Sequence, residues 1–115
     1  MEQPKVVMYA RFGVDVEQNH VNLIKVKMDN FMDMINGKMV DQCWEILASG
    51  QSSSRIHEII KKCSKNEWDI LTYDLKTLHE YHSGALSLIE EGAEVGVPIF
   101  FIESKSVMKS IFRRL

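Results

Sequence analysis

Short apolar runs alternate along this chain with segments of helical period, and this alternation constrains the fold more than any other feature of the sequence. The apolar runs occupy residues 5–11, 39–47, 68–73 and 97–102. Short runs of this kind, bounded by glycine or polar residues, are typical of strands in a parallel sheet. Pro98 stands near the start of the last run, where a strand tolerates proline.

The segments between these runs are predicted to be helices. In segment 15–35 the apolar residues fall on one helical stripe, formed by Val21, Ile24, Met28, Phe31, Met32 and Ile35. Asn36 and Gly37 then end the helix. A second helix follows the polar loop 48–54, with Ser53 or Ser54 as its N-cap. Its inward residues are predicted to be Ile56, Ile59, Ile60 and Cys63.

Helical spacing returns over residues 81–93, and a short last helix is predicted over 105–114. This alternation predicts an α/β domain of three layers (αβα), with a central, mostly parallel sheet of four or five strands. A length of 115 residues suits one domain. We therefore expect residues 1–115 to form a single domain, without a separate DNA-binding domain.

The composition supports a folded domain and counts against tight DNA binding. Hydrophobic residues make up 45% of the chain and charged residues 26%, which suffices for a core and disfavours disorder. The formal net charge is −2, whereas a dedicated nucleic-acid binder is usually basic. The apolar runs are too short to span a bilayer and no leader precedes them, so we expect a cytoplasmic protein that does not act at a membrane.

Three segments together resemble one protein family. A strand ending in Tyr9-Ala10-Arg11 is followed by a Ser49-Gly50 loop that closes with Arg55 before a helix. Residues 86–102 then give a helix, a Gly-Val turn and a strand. In this order and approximate spacing, over roughly residues 5–103, the chain resembles the N-terminal catalytic domain of the serine recombinases, the resolvases and invertases.

The resemblance implies an active site that this chain has lost. In the family, a serine two residues after the first arginine attacks a DNA phosphate, and several arginines stabilise the developing charge. Here that position is Gly13, and no serine, threonine or cysteine precedes Cys43. Where the family has two further arginines, this chain has Thr77 and Glu80. We therefore expect a degenerate member that is inactive as a recombinase.

Arg11, Arg55 and Ser49 match the family pattern and are the candidate remnants of a phosphate-binding or DNA-binding site. For the two arginines the alternative is an ordinary surface ion pair or helix-end contact. A residual anion site between the strand ends is the sharper hypothesis, because ligands favour that edge of α/β sheets. Ser49 and the serines at 52–54 also suit turns and a helix cap.

Other chemistry has weaker support. His79 and His82 are three residues apart but lack further metal ligands, so we expect exposed histidines at a helix start and no metal site. Asp74 ends the third strand as a receiver phosphoacceptor would, but the acidic pair after the first strand is missing. Glycine-rich and Walker-type motifs are also missing, so no nucleotide or other cofactor is expected. Cys43 and Cys63 are expected to be reduced thiols, with a disulfide or redox pair as the alternative.

The functional expectation is an inactive recombinase-type remnant or regulator derived from a mobile element. Its expected partners are DNA, weakly, or itself, or an intact recombinase. One alternative is a protein-interaction module without a DNA role, which uses the methionine-rich first helix with Met28, Met32 and Met34. The other is a small α/β enzyme that reuses Arg11, Arg55 and Asp74 at the edge of the sheet.

Overall fold

Strand β1 lies inside the sheet and has a parallel neighbour on each side. A computed structural model describes residues 3–53 and 55–103. The elements in chain order are β1 (Lys5–Gly13), α1 (Gln18–Met34), β2 (Lys38–Leu47), α2 (Arg55–Asn66), β3 (Asp69–Thr72), α3 (Leu75–Leu78), α4 (His82–Glu94) and β4 (Ile99–Phe101). The strand order is β2-β1-β3-β4, and all three pairings are parallel. The predicted α/β class with a parallel sheet is confirmed, with four strands in the described part of the chain.

The two faces of the sheet carry separate apolar clusters. Along β1, successive side chains point to opposite faces, as in any strand. Val7 and Tyr9 pack in one cluster with residues of α2 and α4. Val6 and Met8 pack in the other cluster with the buried stripe of α1. Helices therefore cover both faces of the sheet, which is the three-layer arrangement that the alternation predicts.

Most element boundaries follow the sequence pattern, although β4 (Ile99–Phe101) is shorter than the predicted run 97–102, and three further differences stand out. Strand β1 continues two residues past Arg11, because Phe12 pairs with Ile46 and Gly13 with Leu47 on β2. Helix α1 begins only at Gln18, after a turn in which the Val16 amide donates to the Gly13 carbonyl. The four-residue helix α3 was not predicted from the sequence. The helix predicted over 105–114 lies outside the described residues.

The predicted helix ends are formed by the expected residues. Asn36 takes a positive φ of 51°, which asparagine tolerates, and the Gly37 amide donates to the Met32 carbonyl at the end of α1. The Ser53 hydroxyl accepts a hydrogen bond from the Ile56 amide at the start of α2. Among residues 3–53 and 55–103, no helix is long and apolar enough to cross a membrane.

Two methionines on α1 offer a direct test of the packing. Met28 is fully buried, whereas Met34 is 73% exposed. We expect Met28→Ala to lower the free energy of unfolding by about 2–5 kcal/mol, because it removes buried methylene groups and leaves a cavity. The matched control Met34→Ala should change it by less than about 0.5 kcal/mol. Urea unfolding followed by circular dichroism measures both, and equal effects would contradict this placement of α1.

Candidate functional site

A cleft of about 630 Å³ opens at the carboxyl ends of β1 and β3. The chain leaves β1 toward β2 on one side and later enters β3 on the other, so this is the point where the order of strands reverses. Ligands of open α/β sheets bind at such points. The ionisable side chains that line the cleft are Arg11, Asp15, His20, Asp74, Lys76 and Glu80. Four residues predicted for the site, Gly13, Ser49, Thr77 and Glu80, line it together with Arg11.

Arg11 is buried, with only 6% of its surface exposed. It shares the face of β1 on which Val7 and Tyr9 lie, the face covered by α2 and α4. No carboxylate in the described ranges forms an ion pair with it. Arg11 is therefore not a surface side chain, because strand β1 continues to Gly13 and keeps it inside the domain.

Glu80 closes the Ser49-Gly50 loop. One oxygen of its carboxylate accepts a hydrogen bond from the Ser49 hydroxyl at 2.9 Å, and the other accepts from the Gly50 amide at 3.0 Å. Gly50 has a φ of +80°, a left-handed conformation that glycine adopts without a steric cost. A hydroxyl and a backbone amide that point at one anionic group form a small oxyanion-binding turn, and this chain fills the turn with its own carboxylate.

These contacts change the acidity of Glu80. Hydrogen bonds from the Gly50 amide and then the Ser49 hydroxyl lower its pKa below the ordinary value of 4.5. The positive charge of Arg11 lowers the pKa further. Each of these groups favours the ionised form. Glu80 is therefore a carboxylate at neutral pH, which places a fixed negative charge beside Arg11.

Thr77 and Asp74 have structural partners at the start of α3. The Asp74 carboxylate accepts from the Thr77 amide at 2.8 Å, and the Asp74 amide donates to the Thr77 hydroxyl at 2.9 Å. The two residues thus form a reciprocal capping box. Thr77 is buried, and its hydroxyl also lies 3.0 Å from that of Thr72. A position where the resemblance implies a cation is used here to begin a short helix.

Gly13 and Arg55 stand in different surroundings. Gly13 is the last residue of β1 and offers the cleft no side chain. Arg55 is exposed at the first position of α2 and lines neither this cleft nor the smaller pocket beside it. Its guanidinium lies 4.0 Å from the Cys43 sulfur, on the β2 side of the domain. The structure therefore does not bring Arg55 together with Arg11.

Sequence reasoning missed a polar network beneath the site. Tyr9 is fully buried, and its hydroxyl donates to the Glu45 carboxylate at 2.7 Å. The Ser53 hydroxyl donates to the same oxygen of Glu45. Burial raises the pKa of the Tyr9 phenol well above its usual range, so the phenol stays protonated and serves as a donor. The sequence signal for this network is the carboxylate of Glu45 within the predicted second strand.

The histidines and cysteines form no metal centre within the described ranges, where no three potential ligands are grouped. His82 begins α4 and is exposed, as predicted. His79 is partly buried instead, and its ring Nδ1 accepts from the Tyr81 amide at 2.9 Å. Cys43 and Cys63 are both free thiols, and burial raises the pKa of Cys63 to about 11.

The charges of the cleft do not suit a polyanion. Three carboxylates, from Asp15, Asp74 and Glu80, face two fixed cations, from Arg11 and Lys76. A phosphodiester is anionic, so net negative charge in the cleft opposes its entry. At this edge, Arg11 and Lys76 face three carboxylates, and the turn formed by Ser49 and Gly50 is already occupied by Glu80.

The fold has clear counterparts among solved structures. The C-terminal catalytic domain of ISC1926 TnpA, an IS607-like serine recombinase, matches with a TM-score of 0.72 and 17% identity, over 92% of this chain and 75% of that one. The N-terminal catalytic domain of TP901-1 integrase matches with a TM-score of 0.70 and 16% identity, over 94% and 87%. A resolvase-family site-specific recombinase from Streptococcus pneumoniae matches with a TM-score of 0.72 and 19% identity, over 97% and 85%.

These matches define the class of the fold. The chain has the fold of the serine recombinase catalytic domains, as the resemblance of its Tyr9-Ala10-Arg11 strand and Ser49-Gly50 loop implies. No protein-family model matches the sequence, and a search of curated proteins found no significant match. The likeness is therefore one of structure, at identities below one residue in five.

Removing one donor tests how Glu80 is held. We expect Ser49→Ala to raise the pKa of Glu80 toward its ordinary value, because the carboxylate loses a hydrogen bond that favours its charged form. A pH titration of the side-chain carboxyl carbons by NMR measures this change. In the wild type, the closed loop should be stable above the ordinary glutamate pKa and should open as the pH falls through the lowered value.

The control for this titration is Ser52→Ala, an exposed serine of the same loop. It should leave the pKa of Glu80 unchanged. An unchanged Glu80 pKa in Ser49→Ala would show that Ser49 does not hold the carboxylate in solution.

Proposed function

We propose that this chain is a serine-recombinase-type domain that does not cleave DNA and serves as a regulator derived from a mobile element. The observation that carries the proposal is the edge of the sheet where β1 ends. It offers Gly13 in place of a nucleophile and the Glu80 carboxylate beside Arg11. We take residues 1–115 as one such domain, and we place it in the cytoplasm, where its free thiols stay reduced.

The hydroxyl groups that line the cleft do not replace the missing nucleophile. The Ser49 hydroxyl donates a hydrogen bond to the Glu80 carboxylate, whose negative charge opposes the approach of a phosphate to this hydroxyl. The Thr77 hydroxyl is buried and hydrogen-bonded within the capping box. A nucleophilic hydroxyl needs a base that takes its proton and an open path to the reacting phosphorus. The partners of these two hydroxyls support loss of strand cleavage.

Weak DNA contact is consistent with this proposal. Arg11 is the only one of the proposed remnants with a positive charge in the cleft, because Arg55 points elsewhere and Ser49 is paired. Affinity for duplex DNA grows with the number of phosphates that the protein neutralises. A domain with so few cationic contacts at this edge is therefore expected to bind DNA weakly and with a shallow salt dependence.

Reversing the charge at position 80 tests whether this edge still faces DNA. Glu80→Arg removes a carboxylate and adds the cation that the resemblance implies. We expect tighter binding to a labelled duplex at low salt, and a slope of log affinity against log salt that is steeper by about 0.9, for one more neutralised phosphate. Fluorescence anisotropy across a salt series measures both quantities.

The matched control is Glu94→Arg, the same charge change at the far end of α4. It should leave the slope close to that of the wild type. Equal slopes in the two variants would show that the edge of the sheet at position 80 does not contact DNA. A covalent protein–DNA adduct formed by the wild type on denaturing gels would contradict the proposed loss of cleavage.

A second candidate function is self-association through α1. Its outer surface carries three exposed apolar side chains, Leu23, Val26 and Met34, and helical spacing puts them on one stripe. In an antiparallel pair of α1 helices centred on Asn30, Val26 of one copy lies opposite Met34 of the other. The stripe is thus self-complementary, as a two-fold interface requires. Met28 and Met32, in contrast, are core residues.

Sedimentation equilibrium tests this second candidate. We expect wild-type dimers to dissociate in Val26→Glu, because the carboxylate would be desolvated against Met34 of the other copy. The control Val95→Glu makes the same change at an exposed valine beyond α4 and should sediment like the wild type. A wild type that stays monomeric at high concentration would exclude this function.

A further inference from the structure

A pocket of about 220 Å³ lies at the edge of the sheet opposite the cleft, where β1 and β3 begin. We name it the basal pocket. It shares no lining residue with the cleft or with the smaller pocket beside the cleft. Its lining is apolar apart from the carboxyl group of Asp69, and its main apolar residues are Val6, Phe31, Ile35, Leu71 and Phe100.

The basal pocket exists because α1 covers only part of this face of the sheet. Within the described residues, α1 is the one helix that packs on this face, where it buries Val6 and Met8 of β1. Phe100 on β4 is only partly buried, and so are Phe31 and Ile35 at the end of α1. Two phenyl rings and the aliphatic side chains around them therefore border an apolar space that solvent reaches.

Asp69 places a carboxyl group in this apolar space. The parallel register pairs Asp69 with Val6, and paired residues of neighbouring strands point to the same face, so the carboxyl group lies on the side that α1 covers. Asp69 is partly buried, and its side chain makes no hydrogen bond or ion pair with any residue that the structure describes. Burial raises its pKa above the ordinary value of 3.8, and no neighbouring cation offsets this change.

The carboxyl oxygens of Asp69 are accessible to a ligand. No side-chain oxygen or nitrogen that is sealed from solvent lacks a hydrogen-bond partner in the described part of the chain. The unpaired oxygens of Asp69 therefore still touch solvent. A partly desolvated carboxylate gains most from a partner that brings the opposite charge.

The lining of the basal pocket favours a cation with an apolar body. Aliphatic and aromatic walls bind an apolar group, and a polar group among them fixes its orientation. Phe31 and Phe100 also suit a cation, because the electron-rich faces of aromatic rings attract positive charge. A volume of 220 Å³ is below the roughly 300 Å³ at which pockets for drug-sized ligands begin, so one ring with a short chain is the size that fits.

We propose that the basal pocket binds a small aryl-alkyl ammonium ion, with the ring against the apolar walls and the ammonium group on Asp69. The inference does not depend on the proposed function, because the pocket uses no residue of the cleft. The ammonium group supplies the charge partner that Asp69 lacks among the described residues. The ring covers apolar surface that α1 leaves accessible.

Methyl NMR with a matched pair of probes tests the site. The purified full chain is titrated at about pH 7.5 with phenethylammonium, which is charged there, and with the neutral 2-phenylethanol. Ile35 and Leu71 line the basal pocket, whereas Ile56 and Ile60 of α2 pack on the other face of the sheet. We expect saturable shifts of the Ile35 and Leu71 methyl signals, with Ile56 and Ile60 unchanged. The ammonium should bind about tenfold tighter than the alcohol, because only the ammonium pairs with the carboxylate.

One isosteric variant tests the role of the charge. Asp69→Asn keeps the size of the side chain and removes its charge, so it should weaken phenethylammonium binding by about tenfold and leave 2-phenylethanol binding unchanged. The matched control Asp33→Asn removes an exposed carboxylate of α1 that does not line the pocket, and it should bind both probes like the wild type. The comparison of the two probes on the wild type keeps the test valid if Asp69→Asn does not fold.

Four outcomes would overturn the proposal. Equal affinities of the two probes for the wild type would show that Asp69 recognises no cation. Equal losses in Asp69→Asn and Asp33→Asn would show only a general effect of net charge. Shifts of Ile56 and Ile60 that parallel those of Ile35, without saturation, would show non-specific binding. No shift with either probe at about 10 mM would show that the pocket takes no ligand of this class.

Discussion

The burial of strand β1 is the constraint on which the rest of this structure depends. The strand pairs in parallel with β2 from Lys5 to Gly13 and with β3 over Val6 to Met8, and an apolar cluster covers each of its faces. Because β1 continues through Arg11 to Gly13, the guanidinium is held inside the domain rather than at its surface. The cleft at the end of β1 and the smaller pocket beside it consequently share one charged side chain.

The surroundings of that side chain are the basis of our proposal that this domain does not cleave DNA. A carboxylate at position 80 occupies the turn formed by Ser49 and Gly50, and it lies close enough for the charge of Arg11 to lower its pKa. One acidic side chain therefore fills an oxyanion turn and offsets a cation at the same time. On the other side of Arg11 lies a smaller pocket, between the first turn of α2 and helix α4. The one carboxylate in its lining, Glu91, is paired with His57.

A polar chain connects these features to the sheet. Tyr9 on β1 donates to Glu45 on β2, Glu45 accepts from Ser53, and Ser53 accepts from the first turn of α2. The tyrosine of the Tyr9-Ala10-Arg11 strand thus anchors the helix whose N-terminus borders the small pocket. Because Tyr9 is buried, breaking one of these links would leave a polar group without a partner, which costs more than an exposed hydrogen bond would.

The sequence by itself determined the order of strands and helices, because burial imposes a period of two or 3.6 residues on neighbours along the chain. It also determined that Gly13 cannot supply a nucleophile. Only the tertiary structure decided that Arg11 is buried beside Glu80, that Arg55 points away, and that Glu80 binds a loop 31 residues before it. Those outcomes depend on contacts between segments that are distant in sequence. The local hydrophobic periodicity carries no information about such contacts. Helix α3 was not predicted because its four residues are too few to show a helical period. It depends instead on the Asp74–Thr77 capping box.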